Sequence, residues 1–288
     1  MAGETATPCN HPGAPPDEVV DLVADAVRSI GRDEEFLKRC GLTAQDFELA
    51  LPAAIQRIRG SAAAGNADRR NFLSRLFSHM VEVNSIKSFE VPDYGKDTVY
   101  RLEVETIGSV AIIQKGCPDG AHSSVAWQAP DWAIETYLWW LCDSIQYEPG
   151  EHVAKGINRL RKRFFSDIYA DAVDGVIFHN ATCGTPLRPC PKSTKAIEVG
   201  GKLIPPPCIW VMPERVDYSD PGEANWNWSG GQERRFPAHL LSTFGIRFQD
   251  SPLYTGYVGF QKGGRGMRTT ISSKYGIGAS TTYRSSSR

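Results

Sequence analysis

The 288 residues are 41% hydrophobic and 23% charged, with a formal net charge of −1, the balance of an ordinary globular chain long enough to bury a sizeable core. No run approaches the roughly 18 consecutive apolar residues that a membrane helix requires, which excludes that class. The seven cysteines are odd in number and scattered, which suits reduced thiols in a cytoplasm better than a disulfide framework.

The opening "MAGETATPCNHPGAPPDE" has neither a basic n-region nor an apolar h-region, so residues 1–16 are expected to be a disordered arm and not a secretory signal. Helical spacing follows: Val19, Leu22, Val23, Ala26, Val27 and Ile30 recur along "DEVVDLVADAVRSI", with acids in the first turn and Gly31 as a stop. "DEEFLKRC" is a second short helix, and Thr43 with Asp46 forms a capping box before "FELALPAAIQRIRG". "GSAAAGNA" (60–67) predicts a loop, and Asp68 can cap "RRNFLSRLFSHMVEV". Residues 17–83 are therefore a helical N-terminal region, and residues 84–288 the core.

Within the core, "TVYRLEVET" and "GSVAIIQKG" are β-branched and apolar around a glycine-containing turn, which predicts a hairpin. "DWAIETYLWWLCDSIQ" is long and apolar almost all round, so it predicts a buried helix carrying Glu135 as its one charge between Asp131 and Asp143. "EHVAKGINRLRKRFFSDIY" predicts another helix, with Lys155, Arg159 and Lys162 on one basic face. "DGVIFHN" is a short buried strand. "KAIEVGGKLI" and "PPCIWVMPE" make a further strand or a bent pair. A long polar loop containing Trp226 and Trp228 precedes the short helix "FPAHLLSTFGI", and "LYTGYVGFQKGG" with "GMRTTISSKYG" closes the chain as an antiparallel hairpin. The order predicts an α/β or α+β fold, a mixed β-sheet flanked by helices.

Residues 251–288 carry Lys262, Arg265, Arg268, Lys274, Arg284 and Arg288 with no acid. A basic end on an otherwise acidic body marks a polyanion partner, against the plainer reading of a solvated terminus. Cys117, His122, His179, Cys183 and Cys190 could supply zinc ligands, although their spacing is not that of a zinc knuckle and reduced structural cysteines explain them as well. The acid–lysine set is the stronger candidate for chemistry. Hydrolysing a phosphodiester needs carboxylates to hold a divalent ion and a lysine near the phosphate. Asp174 opens one strand, and Glu198 and Lys202, four apart, would share a face of the next. Glu135 would be a further acid, since a buried carboxylate is costly unless paired or metal-bound. Ordinary turn and surface roles are open to each of the four.

Together these features resemble the type II restriction endonucleases of the PD-(D/E)XK nuclease class. The likeness rests on a helical N-terminal portion, the glutamate of "DWAIETYLWWL", the aspartate of "DGVIF", the acid and lysine of "EVGGK" and the basic terminal hairpin. The resemblance implies a mixed sheet flanked by helices and a Mg²⁺-dependent, site-specific cleavage of double-stranded DNA by a homodimer, while the cysteine usage and the lack of an apolar span point to a cytoplasmic protein with no membrane association. Asp174 and Glu198 would be metal ligands and Lys202 the catalytic lysine. Lys155, Arg159, Lys162, Lys262, Arg265 and Arg268 would contact DNA. Asp174 follows valine where the class has proline. Three residues, "VGG", separate acid from lysine where the class has one, and a Gly-Gly bulge would have to restore convergence. Lys195 in "STK" and Asp119 in "CPDGAH" are rival members. The alternative from another class is a non-catalytic nucleic-acid-binding or assembly protein; a small-molecule hydrolase is a third.

Overall fold

A computed structural model describes residues 17–64, 66–92, 99–115, 127–141, 173–179, 190, 192–213, 234–263, 266–273 and 281–285. Four helices come first: α1 (Asp17–Arg32), α2 (Glu34–Arg39), α3 (Ala44–Ala64) and α4 (Asn66–Glu82). Asp33 caps α2 by accepting from Phe36 N at 2.9 Å. The Thr43–Asp46 capping box forms before α3: Thr43 N donates to Asp46 Oδ2 at 3.0 Å and Asp46 N to Thr43 Oγ1 at 3.1 Å. Residues 60–64, expected as a loop, instead continue α3. The alanines after Gly60 favour helix strongly enough to carry the segment through it.

The strands are β1 (Ser88–Glu90), β2 (Val99–Val104), β3 (Gly108–Lys115), β4 (Glu135–Leu141), β5 (Gly175–His179), β6 (Ile197–Val199), β7 (Lys202–Ile204), β8 (Cys208–Val211), β9 (Thr255–Gly263), β10 (Gly266–Ser273) and β11 (Thr281–Ser285), with helix α5 (Phe236–Ser242) between β8 and β9. Nine of them form one mixed sheet in the order β1-β2-β3-β4-β5-β8-β9-β10-β11, while β6 and β7 pair separately. The α/β or α+β reading therefore holds. Strands β3, β4 and β5 run parallel, flanked by antiparallel β2 and β8. The terminal hairpin β9–β10 forms as expected and gains a third antiparallel strand, β11.

One expectation fails outright. Residues expected as a buried helix around Glu135 are the strand β4, whose seven residues are all buried between two parallel neighbours. A strand covered on both faces loses the alternation that betrays a half-exposed one, and its apolar run then reads like a buried helix.

The core lies between this sheet and helices α4 and α5: Leu73, Leu76, Phe77 and Met80 of α4 meet Tyr100, Leu102, Val110, Ile112, Tyr137, Trp139, Ile177 and Ile209 of the strands, with Phe236, Leu240 and Leu241 of α5. Phe77 sits edge-on to Tyr100 and Trp139 with centroids 5.2 and 5.8 Å apart, a geometry favoured by the ring quadrupoles. No residue before Leu73 belongs to this buried cluster among the described residues. No helix among them is long and apolar enough to cross a membrane.

Candidate functional site: two edges of one sheet

The parallel strands give the sheet two chemically distinct edges. At the amino edge, β4 opens with Glu135 and β5 is preceded by Asp174. Asp174 is stitched in by its backbone, its N–H donating to Thr136 O at 2.8 Å and its carbonyl accepting from Met212 N at 2.9 Å. Its side chain accepts from Thr136 N at 2.6 Å through Oδ2 and from Arg234 Nη2 at 2.8 Å through Oδ1. Burial pushes the Asp174 carboxyl above its usual range, and the Glu135 charge adds to that, while the Thr136 N–H and the Arg234 guanidinium pull the other way.

Glu135 is buried, and both of its oxygens are used. Oε2 accepts from Tyr137 Oη at 2.7 Å and from Phe236 N at 3.1 Å, and Oε1 accepts from Arg235 N at 2.9 Å. The carboxylate thus satisfies two donors at the start of α5, of which the Phe236 N–H would otherwise be buried without a partner. Burial raises the Tyr137 hydroxyl well above the ordinary phenol range, and Glu135 reinforces the shift, so Tyr137 stays a neutral donor. His239 locks the same edge from α5: its Nδ1 donates to Ser85 O at 3.2 Å, and its Nε2 lies 2.7 Å from Thr106 Oγ1. Burial lowers the His239 pKa, so the imidazole is neutral and Nε2 accepts from the threonine.

At the carboxyl edge, Gln114 near the end of β3 accepts from Tyr100 Oη at 3.1 Å. His179 ends β5, donates from Nε2 to Pro205 O at 3.0 Å, and packs edge-on against Phe72 of α4 at 5.1 Å. Lys192 is buried with its Nζ 2.6 Å from Pro206 O and 3.3 Å from Cys208 Sγ.

The hairpin β6–β7 precedes Pro205 and therefore joins the sheet at this carboxyl edge. Gly200 and Gly201 have φ of 58° and 76°, the two left-handed residues of a tight hairpin. The Gly-Gly pair is a chain reversal, not the bulge that convergence required. Glu198 faces Leu203 across the hairpin and Lys202 faces Val199. Cross-strand partners share a face and successive residues alternate, so Glu198 and Lys202 sit on opposite faces. Both are exposed. Asp174 lies beyond the far end of β5, whose five residues span roughly 16 Å at about 3.3 Å each.

The structure therefore brings Asp174 together with Glu135 but not with Glu198 or Lys202. Mg²⁺ fits this set poorly: the acids do not converge, and Asp174 already carries a guanidinium. Among the described residues no three His, Cys, Asp or Glu side chains group to hold a metal. Lys195 lies in a 3₁₀ turn, Ser193–Lys195. Lys262 and Arg268 fall on β9 and β10. Lys155, Arg159, Lys162, Arg265, Asp119, Cys117, His122, Cys183, Trp226 and Trp228 lie outside the described residues.

Sequence reasoning missed Arg234, Arg235 and Lys192. The first two stand just before a helix with Pro at its first turn, a signal for the helix start but not for a salt bridge. Lys192 follows Pro191 in an irregular segment with no periodicity to mark it. Compared with protein-family models, with curated proteins and with solved structures, the chain gives no match.

Proposed function

We propose that the protein binds double-stranded DNA through its terminal strands, a reading carried by one observation. Residues 251–288 hold six basic residues and no acid, and the described part of this segment supplies three strands, β9, β10 and β11, antiparallel to one another, that extend the main sheet from β8. The register puts Thr270 opposite Arg284, with Arg268 two residues from Thr270 on the same face of β10. Basic residues recurring on one face of adjoining strands suit a phosphate backbone, whose neutralisation releases counterions and makes binding salt-dependent. Fluorescence anisotropy with a duplex tests the proposal. Binding should weaken steeply with salt. Replacing Arg268 and Arg284 together by alanine should lower the slope of log K against log salt by about 1.8, at roughly 0.9 for each phosphate left without its basic partner. No binding at low salt would overturn it.

A second reading, a Mg²⁺-dependent type II endonuclease of the cytoplasm, draws on the mixed sheet flanked by helices that the resemblance implies. Asp174 and Glu198, expected as metal ligands, and Lys202, expected as the catalytic lysine, do not converge, so the acids for that chemistry would come from other segments, among them the one holding Asp119. Plasmid DNA incubated with the protein and Mg²⁺ separates the two readings: discrete fragments support cleavage, and a salt-sensitive shift of intact DNA supports binding alone.

A further inference from the structure

Lys192 and Cys208 are both buried at the carboxyl edge of the sheet, and Lys192 Nζ stands 3.3 Å from Cys208 Sγ. Their backbones are anchored. Lys192 leads into the 3₁₀ turn Ser193–Lys195, its carbonyl accepting from Lys195 N at 3.0 Å. Cys208 opens β8, opposite Phe178 of β5. Nζ also donates to Pro206 O at 2.6 Å, which holds the amine end beside the sulfur. A methionine or leucine would fill this space without the cost of desolvating an amine, and a buried cysteine alone is only a small hydrophobe. Neither core filling nor a bond to a carbonyl requires that nitrogen and sulfur touch.

We infer that Lys192 and Cys208 are an oxidative modification site, at which hydrogen peroxide joins Nζ to Sγ as a sulfenamide. A cation beside a thiol favours the thiolate, the form that attacks peroxide. Sulfur takes one peroxide oxygen as the O–O bond breaks, giving a sulfenic acid and one water. The lysine nitrogen then attacks that sulfur: the N–S bond forms, the S–O bond breaks, and the oxygen leaves with an amine proton as a second water. Sulfur is oxidised by two electrons and the peroxide is reduced by two. Condensation of a sulfenic acid with a nitrogen is an established branch of cysteine oxidation, and here the nitrogen is already in contact. Turns about the terminal bonds of the lysine bring it to covalent length while both backbones stay in place. Two equivalents of a thiol reverse the step, returning amine and cysteine and leaving as a disulfide. The bridge would close residues 192–208 into a ring that holds the whole β6–β7 hairpin, including Val199 and Ile204 of the core. Such a ring restricts the unfolded chain. Cys190, buried two residues before Lys192, is the rival partner for Cys208, but the group against its sulfur is the amine. The inference is independent of both readings of function.

Peptide mapping by mass spectrometry tests it, on the reduced full chain treated with hydrogen peroxide and digested without reductant. The map should show one peptide pair joined at Lys192 and Cys208, lighter than its separate parts by two hydrogens and released by dithiothreitol. Exposed Cys40 reports in the same sample that the oxidant acted. Lys192→Gln keeps an N–H for Pro206 O but removes the nucleophile, so it should lose the link, as should Cys208→Ser, while Cys190→Ser retains it. The urea midpoint of the bridged protein should rise, a shift that dithiothreitol reverses and Lys192→Gln lacks. A Cys208 thiol surviving while Cys40 is oxidised overturns the inference. So does Cys208 carried to the sulfinic acid with Lys192 unlinked, a disulfide to Cys190 in its place, or a link that retains an oxygen atom. The map of the unaltered chain decides by itself, even if a variant fails to fold.

Discussion

The two edges of the parallel strands are built from similar residue types and behave differently. At the amino edge every acid has a committed partner: Glu135 serves Tyr137, Arg235 and Phe236, and Asp174 serves Thr136 and Arg234. At the carboxyl edge, the acid and lysine of the β6–β7 hairpin stand exposed on opposite faces of a tight turn. Buried carboxylates persist only where hydrogen bonds and counter-charges offset desolvation. The amino edge meets that condition by anchoring α5 and the Arg234 segment. Both acids therefore hold neighbouring segments in place, one of them, Asp174, being the residue that the sequence marks as a metal ligand.

The largest effect expected from this contrast is at Glu135. Glu135→Ala should destabilise the protein by about 3 kcal/mol or more, because it strands the Tyr137 hydroxyl and two backbone N–H groups, each costing about 1–3 kcal/mol when buried without a partner. Urea denaturation measures this, and a loss under about 1 kcal/mol would show that water replaces the carboxylate. Next in size is the Asp174–Arg234 pair, whose side chains are 19% and 24% exposed. A double-mutant cycle with Asp174→Asn and Arg234→Met should give a coupling of about 1–2 kcal/mol, well above the range of fully exposed pairs. Additive losses would mean that the ion pair is incidental and that Asp174 is held by the Thr136 N–H alone.

Much of the architecture was legible from residues 17 to 83 and from the hairpins, because capping boxes, helical stripes and glycine turns are local signals. Thr43–Asp46, the β2–β3 turn and the β9–β10 pairing each rest on a few neighbouring residues. Strand β4 was not legible, since "ETYLWWL" is apolar in every direction and only its neighbours β3 and β5 decide between strand and helix. The site failed for a related reason. Spacing four apart puts Glu198 and Lys202 on one face only while the chain stays extended, and two left-handed glycines reverse it between them. The Glu135–Asp174 adjacency depends on a parallel pairing of segments 39 residues apart in sequence, which no local pattern announces. Arg234 was hidden for the same reason, as its partner lies 60 residues earlier.

The smallest expected effect discriminates most sharply. Glu198→Ala and Lys202→Ala should each change stability by less than about 0.5 kcal/mol, as substitutions at exposed positions without buried partners do. Since the two side chains lie on opposite faces of the hairpin, the double variant should equal the sum of the singles, and DNA binding by the terminal strands should be unaltered. Non-additivity above about 0.5 kcal/mol would mean that the hairpin closes differently and that acid and lysine do meet. If the unaltered protein cuts plasmid DNA in the presence of Mg²⁺, the same two stable variants carry the decision. Cleavage surviving both would confine the chemistry to other acids. Cleavage abolished in either, with the fold and DNA affinity intact, would return that residue to the reaction and undo the contrast between the two edges.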